Sequence, residues 1–393
     1  MIAAVKELVR QYATELMSIR RHLHANPELS FQEFETSAFV RSKLDEWGIP
    51  YKSGIVKTGI VASIEGRNPN SKVIALRGDM DALPILEKNA VPYCSTNPGV
   101  MHACGHDVHT TCALGAARIL HSLRNEFEGT VQIIFQPGEE VLPGGASLMI
   151  KEGALDNPRP TSIIGQHVLP DLEVGKIGLK PGMYMASADE IYFTVNGKGG
   201  HAALPHYNID PVLITSHIIV ALQQVVSRRC KPSTPCVLSF GSVQANGSTN
   251  VIPDKVDVKG TFRTMDEVWR KQAHTIMKKL AEELAISMGA TCDFRVEVGY
   301  PYVQNDEALT AFCKESAIEY LGVENVVDLE LRMTGEDFAF YTQVMPGCFY
   351  RLGVRNEQRG ITSGIHTATF DVDERCLEVG SGLMAYLAIK QLA

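Results

Sequence analysis

The chain alternates short apolar runs with longer amphipathic stretches. KVIAL (72–76) leads into RGDMDALP, TVQIIF (130–135) into QPGEE, and TSIIG (161–165) into QHVLP. Each run is rich in Val and Ile and is followed by turn-forming residues, which predicts buried strands. Between them, HTTCALGAARILHSLRNEF has the period of a helix. The N-terminal stretch also reads as helix, interrupted at HANPELSFQE, where Pro27 breaks the pattern. Strand–helix alternation of this kind predicts an α/β domain, with a mixed, mainly parallel sheet and helices on both faces.

From about Ser187 to Val298 the pattern changes. DEIYFTVNG alternates like a half-exposed strand, and DPVLITSHIIVALQQVVSR is helical. CVLSFGSVQA and KVDVKGTFRT read as two strands. DEVWRKQAHTIMKKLAEELAISMG reads as a helix closed by Gly289, and CDFRVEV as a last strand. The order βαββαβ is that of a ferredoxin-like α+β domain. It predicts an inserted domain over 183–298 within a larger domain made of 1–182 and 299–393. KPGM and GYP supply hinge-like residues at the two crossings.

Composition narrows the function classes. A chain of 393 residues exceeds one compact core. Its net charge of −8, from 37 basic and 45 acidic residues, offers no basic surface, so no nucleic acid is expected as a partner. The first residues lack the continuous apolar core of a signal peptide. No run of about eighteen apolar residues occurs, so no membrane span is expected. Nine scattered cysteines, an odd number, suit a reducing compartment, and the cytoplasm is the expected location.

The polar residues beyond the strands carry the candidate chemistry. Asp79 and Asp81 follow the first run, Glu139 and Glu140 the second, and His167 the third. Ligands of open α/β sheets bind at the carboxyl ends of strands. MHACGHDVHTT (101–111) adds Cys104 and His106 just before a predicted helix. Alone, a Cys-x-His pair also suits a small core cysteine beside a solvated histidine. Gly105 between them permits a sharp turn, and acidic pairs at the ends of apolar strands are costly unless paired or coordinated. A mixture of Cys, His and Glu suits Zn, Mn, Co or Ni rather than Ca or Mg.

RRHLHANPELSFQE, RGDMDALPI, MHACGHDVHT, FQPGEE, GKGGHAALPH, NVIPD and TGEDFAFY follow one another along the chain, and the likeness they carry covers about residues 20 to 370. In this order they resemble the metal-dependent aminoacylase and carboxypeptidase family of di-metal amidohydrolases. The nearest branch is that of N-acyl-amino-acid deacylases, hippurate hydrolases and auxin-conjugate hydrolases. The resemblance implies two divalent metal ions per chain, held by Cys104, His106, Glu140, His167 and His366. It implies Glu139 as general base and Asp81 as the aspartate that orients a ligand, with Asp79 the second candidate. His201 would polarise the substrate carbonyl, and Asn250 and Arg263 would hold substrate. The substrate implied is a small N-acyl amino acid, and the assembly a homodimer through the inserted domain. Two domains joined by two crossings can close over such a substrate and exclude water. Other readings are an aminopeptidase or dipeptidase on the same scaffold, a hydantoin- or carbamoyl-hydrolysing enzyme, and a non-catalytic binding protein.

Overall fold

The three apolar runs become the middle of one sheet. The computed structural model describes residues 1–393, which divide into two compact units. The larger comprises Met1–Tyr184, Gln304–Leu331 and Asp337–Ala393. Its strands are Tyr51–Ile55 (β1), Gly59–Glu65 (β2), Val73–Asp79 (β3), Thr130–Gln136 (β4), Ile163–Glu173 (β5), Ile177–Leu179 (β6), Val326–Asp328 (β15) and Gly347–Arg355 (β16). They join in the order β1-β2-β4-β3-β5-β16-β6-β15. The central strands β4, β3, β5 and β16 run parallel, whereas β1, β2 and β4 are antiparallel neighbours. The fold is mixed α/β, as the alternation predicts.

Around the sheet lie Ile2–Ala25 (α1), Phe34–Glu46 (α2), His106–Ser122 (α3), Gly145–Lys151 (α4), Glu307–Leu321 (α7), Ala339–Thr342 (α8) and Cys376–Leu392 (α9). Every residue of β3 and β4 is buried, which is why their apolar residues run on rather than alternate. Helix α3 packs against α1, α9 and β3, and most of its residues are buried. Its small residues Ala113, Ala116 and Ala117 make that close packing possible.

Two features depart from the sequence reading. TSIIG does not end at QHVLP. β5 continues to Glu173, because β16 pairs beside it from Gly347↔Ile163 to Gly353↔Leu169 and keeps the backbone hydrogen bonds running. His167 therefore lies within a strand, not past its end. The pair β1–β2 was not anticipated, since YKSGI is a partly exposed strand at the sheet edge without an apolar run.

The smaller unit comprises Met185–Val303 and Arg332–Glu336. Short strands Gly182–Met185 (β7) and Val303–Asn305 (β14) lie where the chain enters and leaves it. Between them come Asp189–Asn196 (β8), Gly200–His201 (β9), Pro211–Gln224 (α5), Cys236–Ala245 (β10), Val251–Ile252 (β11), Lys255–Thr264 (β12), Glu267–Ser287 (α6) and Thr291–Val298 (β13). The sheet order is β10-β12-β8-β13, antiparallel throughout. Alternate residues of β8 (Ile191, Phe193 and Val195) enter a core shared with α5 and α6. Asp210 and Asp266 cap those helices by accepting from the backbone N–H groups of the first turn. No helix of either unit is long and apolar enough to cross a membrane.

Candidate metal centre

Five side chains of the larger unit converge on one another. Cys104 Sγ lies 3.4 Å from His167 Nε2 and 3.3 Å from His366 Nε2. His366 Nε2 is 3.4 Å from Glu140 Oε1, and His106 Nε2 is 3.9 Å from the same oxygen. Metal–ligand bonds of about 2.0–2.3 Å at tetrahedral angles put ligand atoms ~3.3–3.8 Å apart. The closest pairs have that spacing. Three sets emerge: Cys104, His106 and His167; Cys104, Glu140 and His366; and His106, Glu139 and Glu140. Within each set the donor atoms all lie within 4.8 Å of one another. Cys104 belongs to two of them.

The backbone explains the convergence. Gly105 is the N-cap of α3 and adopts φ +86°, which turns the chain between Cys104 and His106. A Cβ there would fall 2.5 Å from a Val168 methyl. His366 is held at φ +61°, a region that is costly for a residue other than glycine, and its N–H donates to Ala103 O at 2.7 Å. Such strain is typical of residues placed for function.

Hydrogen bonds settle which ring nitrogens are open. His106 Nδ1 faces Asp81 Oδ1 at 3.1 Å, and His167 Nδ1 donates to Val168 O at 2.8 Å. In both, Nε2 is left toward the cluster. His106 Nε2 and Glu140 Oε1 are buried and have no hydrogen-bond partner. Buried polar atoms without partners need an explanation, and an ion between them is one. Thiol, imidazole and carboxylate together also suit a borderline transition-metal ion. The residues present therefore fit a bound metal.

The electrostatics agree. Burial alone would lower the His106 pKa, but Asp79, Asp81 and Glu140 outweigh it and carry it up to about 10. Burial pushes the Cys104 thiol well up, and Glu140 and Glu139 push it the same way. A cation would reverse that and stabilise the thiolate. Burial, then the Arg351 charge, hold His167 well below its ordinary value, so its ring is neutral and its Nε2 lone pair available. Burial raises the Asp81 carboxyl, but His106 and Ser30 and the Glu140 amide together hold it low. Ser30 Oγ donates to Asp81 Oδ2 at 2.6 Å, and Glu140 N at 3.0 Å.

Glu139 is buried beside Glu140 and accepts the Asp337 N–H at 3.3 Å. The Asp337 carboxylate is in turn held by Arg77 Nη2 at 2.7 Å and Gln136 Nε2 at 2.8 Å. Glu33, buried, accepts the Gly138 N–H at 2.9 Å and so pins the loop that carries the two glutamates. Sequence reasoning named none of Arg77, Asp337 and Glu33 as site residues. The motifs RGDMDALP, TGEDFAFY and ELSFQE that contain them were the available signal.

His201, Asn250 and Arg263 belong to the smaller unit. His201 pairs with Val251 across β9 and β11, and Asn250 O accepts the Ala202 N–H at 3.0 Å, so His201 and Asn250 are neighbours. Arg263, half-buried on β12, donates from Nε to Thr261 Oγ1 at 3.1 Å.

Comparison with known proteins bears on all of this. The family model for peptidase family M20/M25/M40 matches residues 75–390. The N-acetyl-L-cysteine deacetylase of Bacillus subtilis (strain 168) is 39% identical, over 96% of this chain and 88% of its own. IAA-amino acid hydrolase ILR1-like 5 of Arabidopsis thaliana is also 39% identical, over 96% of this chain and 86% of its own. The crystal structure of the Bacillus subtilis YXEP protein, a dinuclear metal binding peptidase from the M20 family, superposes with a TM-score of 0.83. It is 38% identical and the match covers 98% of this chain and 99% of that one. With likeness of this degree over nearly the whole length, the chain belongs to peptidase family M20/M25/M40 and is a metal-dependent amidohydrolase.

Proposed function

We propose that the enzyme hydrolyses N-acyl amino acids, with N-acetyl, N-benzoyl or similar acyl groups, to a carboxylate and a free amino acid. The observation that carries this reading is the pair of ligand sets that share Cys104, with the Glu139 carboxylate beside them. The names of the deacetylase and IAA-amino acid hydrolase relatives support the same substrate class.

In this reading Cys104, His106 and His167 hold one divalent ion, and Cys104, Glu140 and His366 the second, drawn from Zn, Mn, Co or Ni. Two ions held by these residues would supply a nucleophilic water at neutral pH and polarisation of the scissile carbonyl. Glu139 takes the water's proton and delivers it to the leaving amine. Asp81 holds the Nδ1 side of His106, so that Nε2 stays turned to the cluster. His201 Nδ1 accepts the Ala203 N–H at 3.1 Å, which leaves the proton of a neutral ring on Nε2. There it donates to the oxygen on which negative charge develops, a contribution of roughly a hundred- to a thousandfold in rate. Arg263 and Asn250 hold the substrate α-carboxylate, because the planar guanidinium matches its two oxygens. The smaller unit forms the contact of a homodimer, a reading supported by Leu213 and Val220, exposed on α5.

The test is a panel of N-acetyl, N-benzoyl and indole-acyl amino acids, each as free acid and as α-amide, with several metals added. A lost charge-assisted contact is worth about 1.5–3 kcal/mol. The amides should therefore fall roughly ten- to a hundredfold in kcat/KM, and Arg263→Ala should erase most of that difference. Equal turnover of acid and amide would remove carboxylate recognition and put an aminopeptidase in its place.

A further inference from the structure

The stretch that carries Cys104 and His106 holds a third histidine, fully buried, in the first turn of α3. His109 sits with Asp79 and His106 in a group whose donor atoms lie within 4.8 Å of one another, so proximity alone would make it a ligand. Its hydrogen bonds say otherwise. Val168 N–H donates to His109 Nε2 at 2.9 Å. A backbone N–H can only donate, so Nε2 is bare of hydrogen and its lone pair is spent. Nδ1 then carries the proton and gives it to Asp79 Oδ1 at 2.6 Å. Both nitrogens are used.

The residue held through Nε2 is the neighbour of a ligand. His167 Nδ1 donates to the carbonyl of the same Val168, at 2.8 Å, with its own Nε2 facing Cys104. Asp79 is itself fixed on its other side. Arg77 Nη1 donates to Oδ2 at 2.5 Å, and Thr110 Oγ1 donates to the Asp79 carbonyl at 2.6 Å. Gly78 completes the fit: a Cβ there would lie 2.9 Å from the His109 carbonyl, so only glycine lets β3 approach α3 this closely. All of Arg77, Asp79 and His109 are completely buried.

We propose that His109 is a positioning residue. Oriented by Asp79, it fixes the Val168 amide and thereby aims the ring of His167 at the ion that His167 shares with Cys104 and His106. This rests on the metal reading of the site and extends it. Asp81 does the same work for His106 through a direct bond, whereas Asp79 acts on His167 through a second ring and a peptide group. Partners that orient a ligand in this way are typically worth ten- to a hundredfold in metal affinity.

The test measures metal binding on the full chain, by zinc titration against a chromophoric chelator. His109→Leu leaves Val168 N–H and Asp79 without their partner. It should weaken one of the two ions by ten- to a hundredfold and leave the other within threefold. With both ions saturating, kcat should fall while KM stays within threefold. His109→Gln offers Val168 an acceptor again and should recover part of the affinity. A purely structural role would lower the melting temperature without separating the two ions. If His109→Leu does not fold, the unmodified protein decides through its long-range ¹H–¹⁵N histidine spectrum. His109 should be the Nδ1–H tautomer, and an Nε2–H ring would overturn the proposal. Equal affinity for both ions in His109→Leu would also overturn it, with the metal reading intact. An unmodified chain that binds no metal would remove both.

Discussion

Two polar clusters, both buried over most of their groups though His366 is exposed, meet at the start of α3, and they differ in how their groups are paired. In one, Arg20 Nε donates to Asp107 Oδ2 at 2.8 Å and Nη2 to Asp371 Oδ1 at 3.0 Å. His24 bridges Asp107 at 2.8 Å and Glu87 at 3.1 Å. Glu87 also accepts the Ser95 N–H at 2.7 Å, and Asp107 the Val108 N–H at 2.9 Å. Arg20 Nη1 makes no hydrogen bond and lies 3.7 Å from Glu374 Oε1. The other cluster, from His106 onward, has no arginine or lysine among its converging donors, and two of its buried atoms have no hydrogen-bond partner. The first cluster supplies its own cation and is closed in the sense that each of its carboxylates has a partner. The second brings carboxylates, a thiol and imidazole rings together with no arginine or lysine among them. Burial and charge are common to both, so neither marks the functional site. The state of pairing does.

The sharpest separation of the two should come from turnover. Glu139→Gln should keep two metals per chain and lose about a hundred- to ten-thousandfold in kcat, the range for removing a general base. Glu140→Gln should lose metal as well, by elemental analysis. The reverse result would show that the two glutamates have exchanged roles. Chelation should abolish activity altogether.

The closed cluster should answer differently. Arg20→Met leaves the buried Asp107 and the half-buried Asp371 without that cation. Breaking a buried pair from one side costs about 3–5 kcal/mol. Urea unfolding should show that loss, while metal content and kcat of the folded fraction stay within about threefold. Loss of metal at unchanged stability would mean that the two clusters are one.

Much of this division could be read before the structure, and the rest could not, for definite reasons. β10 and β12 occupy the predicted runs CVLSFGSVQA and KVDVKGTFRT, because alternation in a one-face-buried sheet is a local property. The convergence of Cys104, His106, Glu139, Glu140, His167 and His366 was legible through ordered motifs, and the geometry gives it content. The length of β5 was not, since it depends on β16, far along the chain. Nor was the difference among the histidines at 102, 106 and 109. It lies in which ring nitrogen meets a backbone amide or a carboxylate, and no periodicity encodes that.

A smaller effect should appear in the pH dependence of metal binding. The metal-free protein holds a proton on His106 up to a pH of about 10, against an ordinary value near 6.5. That proton, and the one on the Cys104 thiol, must leave before the atoms can bind an ion. Apparent affinity should therefore rise with pH, by about ten- to a hundredfold per unit between pH 6 and 8. The sign follows from the direction of the shift: a raised imidazole pKa keeps the competing proton on throughout that window. Calorimetry in buffers of different ionisation enthalpy counts the protons released. Arg20→Met should leave that count unchanged, because no group of the closed cluster binds the ion.

The smallest effect is expected at His102, which tests the criterion itself. His102 is buried in the same segment, its ring 6.5 Å from that of His24, and neither of its nitrogens has a partner. Burial pushes its pKa down to about 4, so the ring is neutral at pH 7. It is more orphaned than His106, whose Nδ1 faces Asp81, yet it belongs to none of the close donor groups. An orphaned atom marks an ion site only where other donors converge on the same point. A neutral ring with no hydrogen bond to lose can be exchanged for an apolar side chain. His102→Leu removes an unsatisfied group, worth about 1–3 kcal/mol, and introduces a packing mismatch of similar size. The two should nearly cancel, leaving stability within about 1.5 kcal/mol of the parent by urea titration. Both ions should remain, with affinities within twofold. A metal lost from His102→Leu would place that ring in the centre and show that pairing must be judged over a wider shell than the nearest donors.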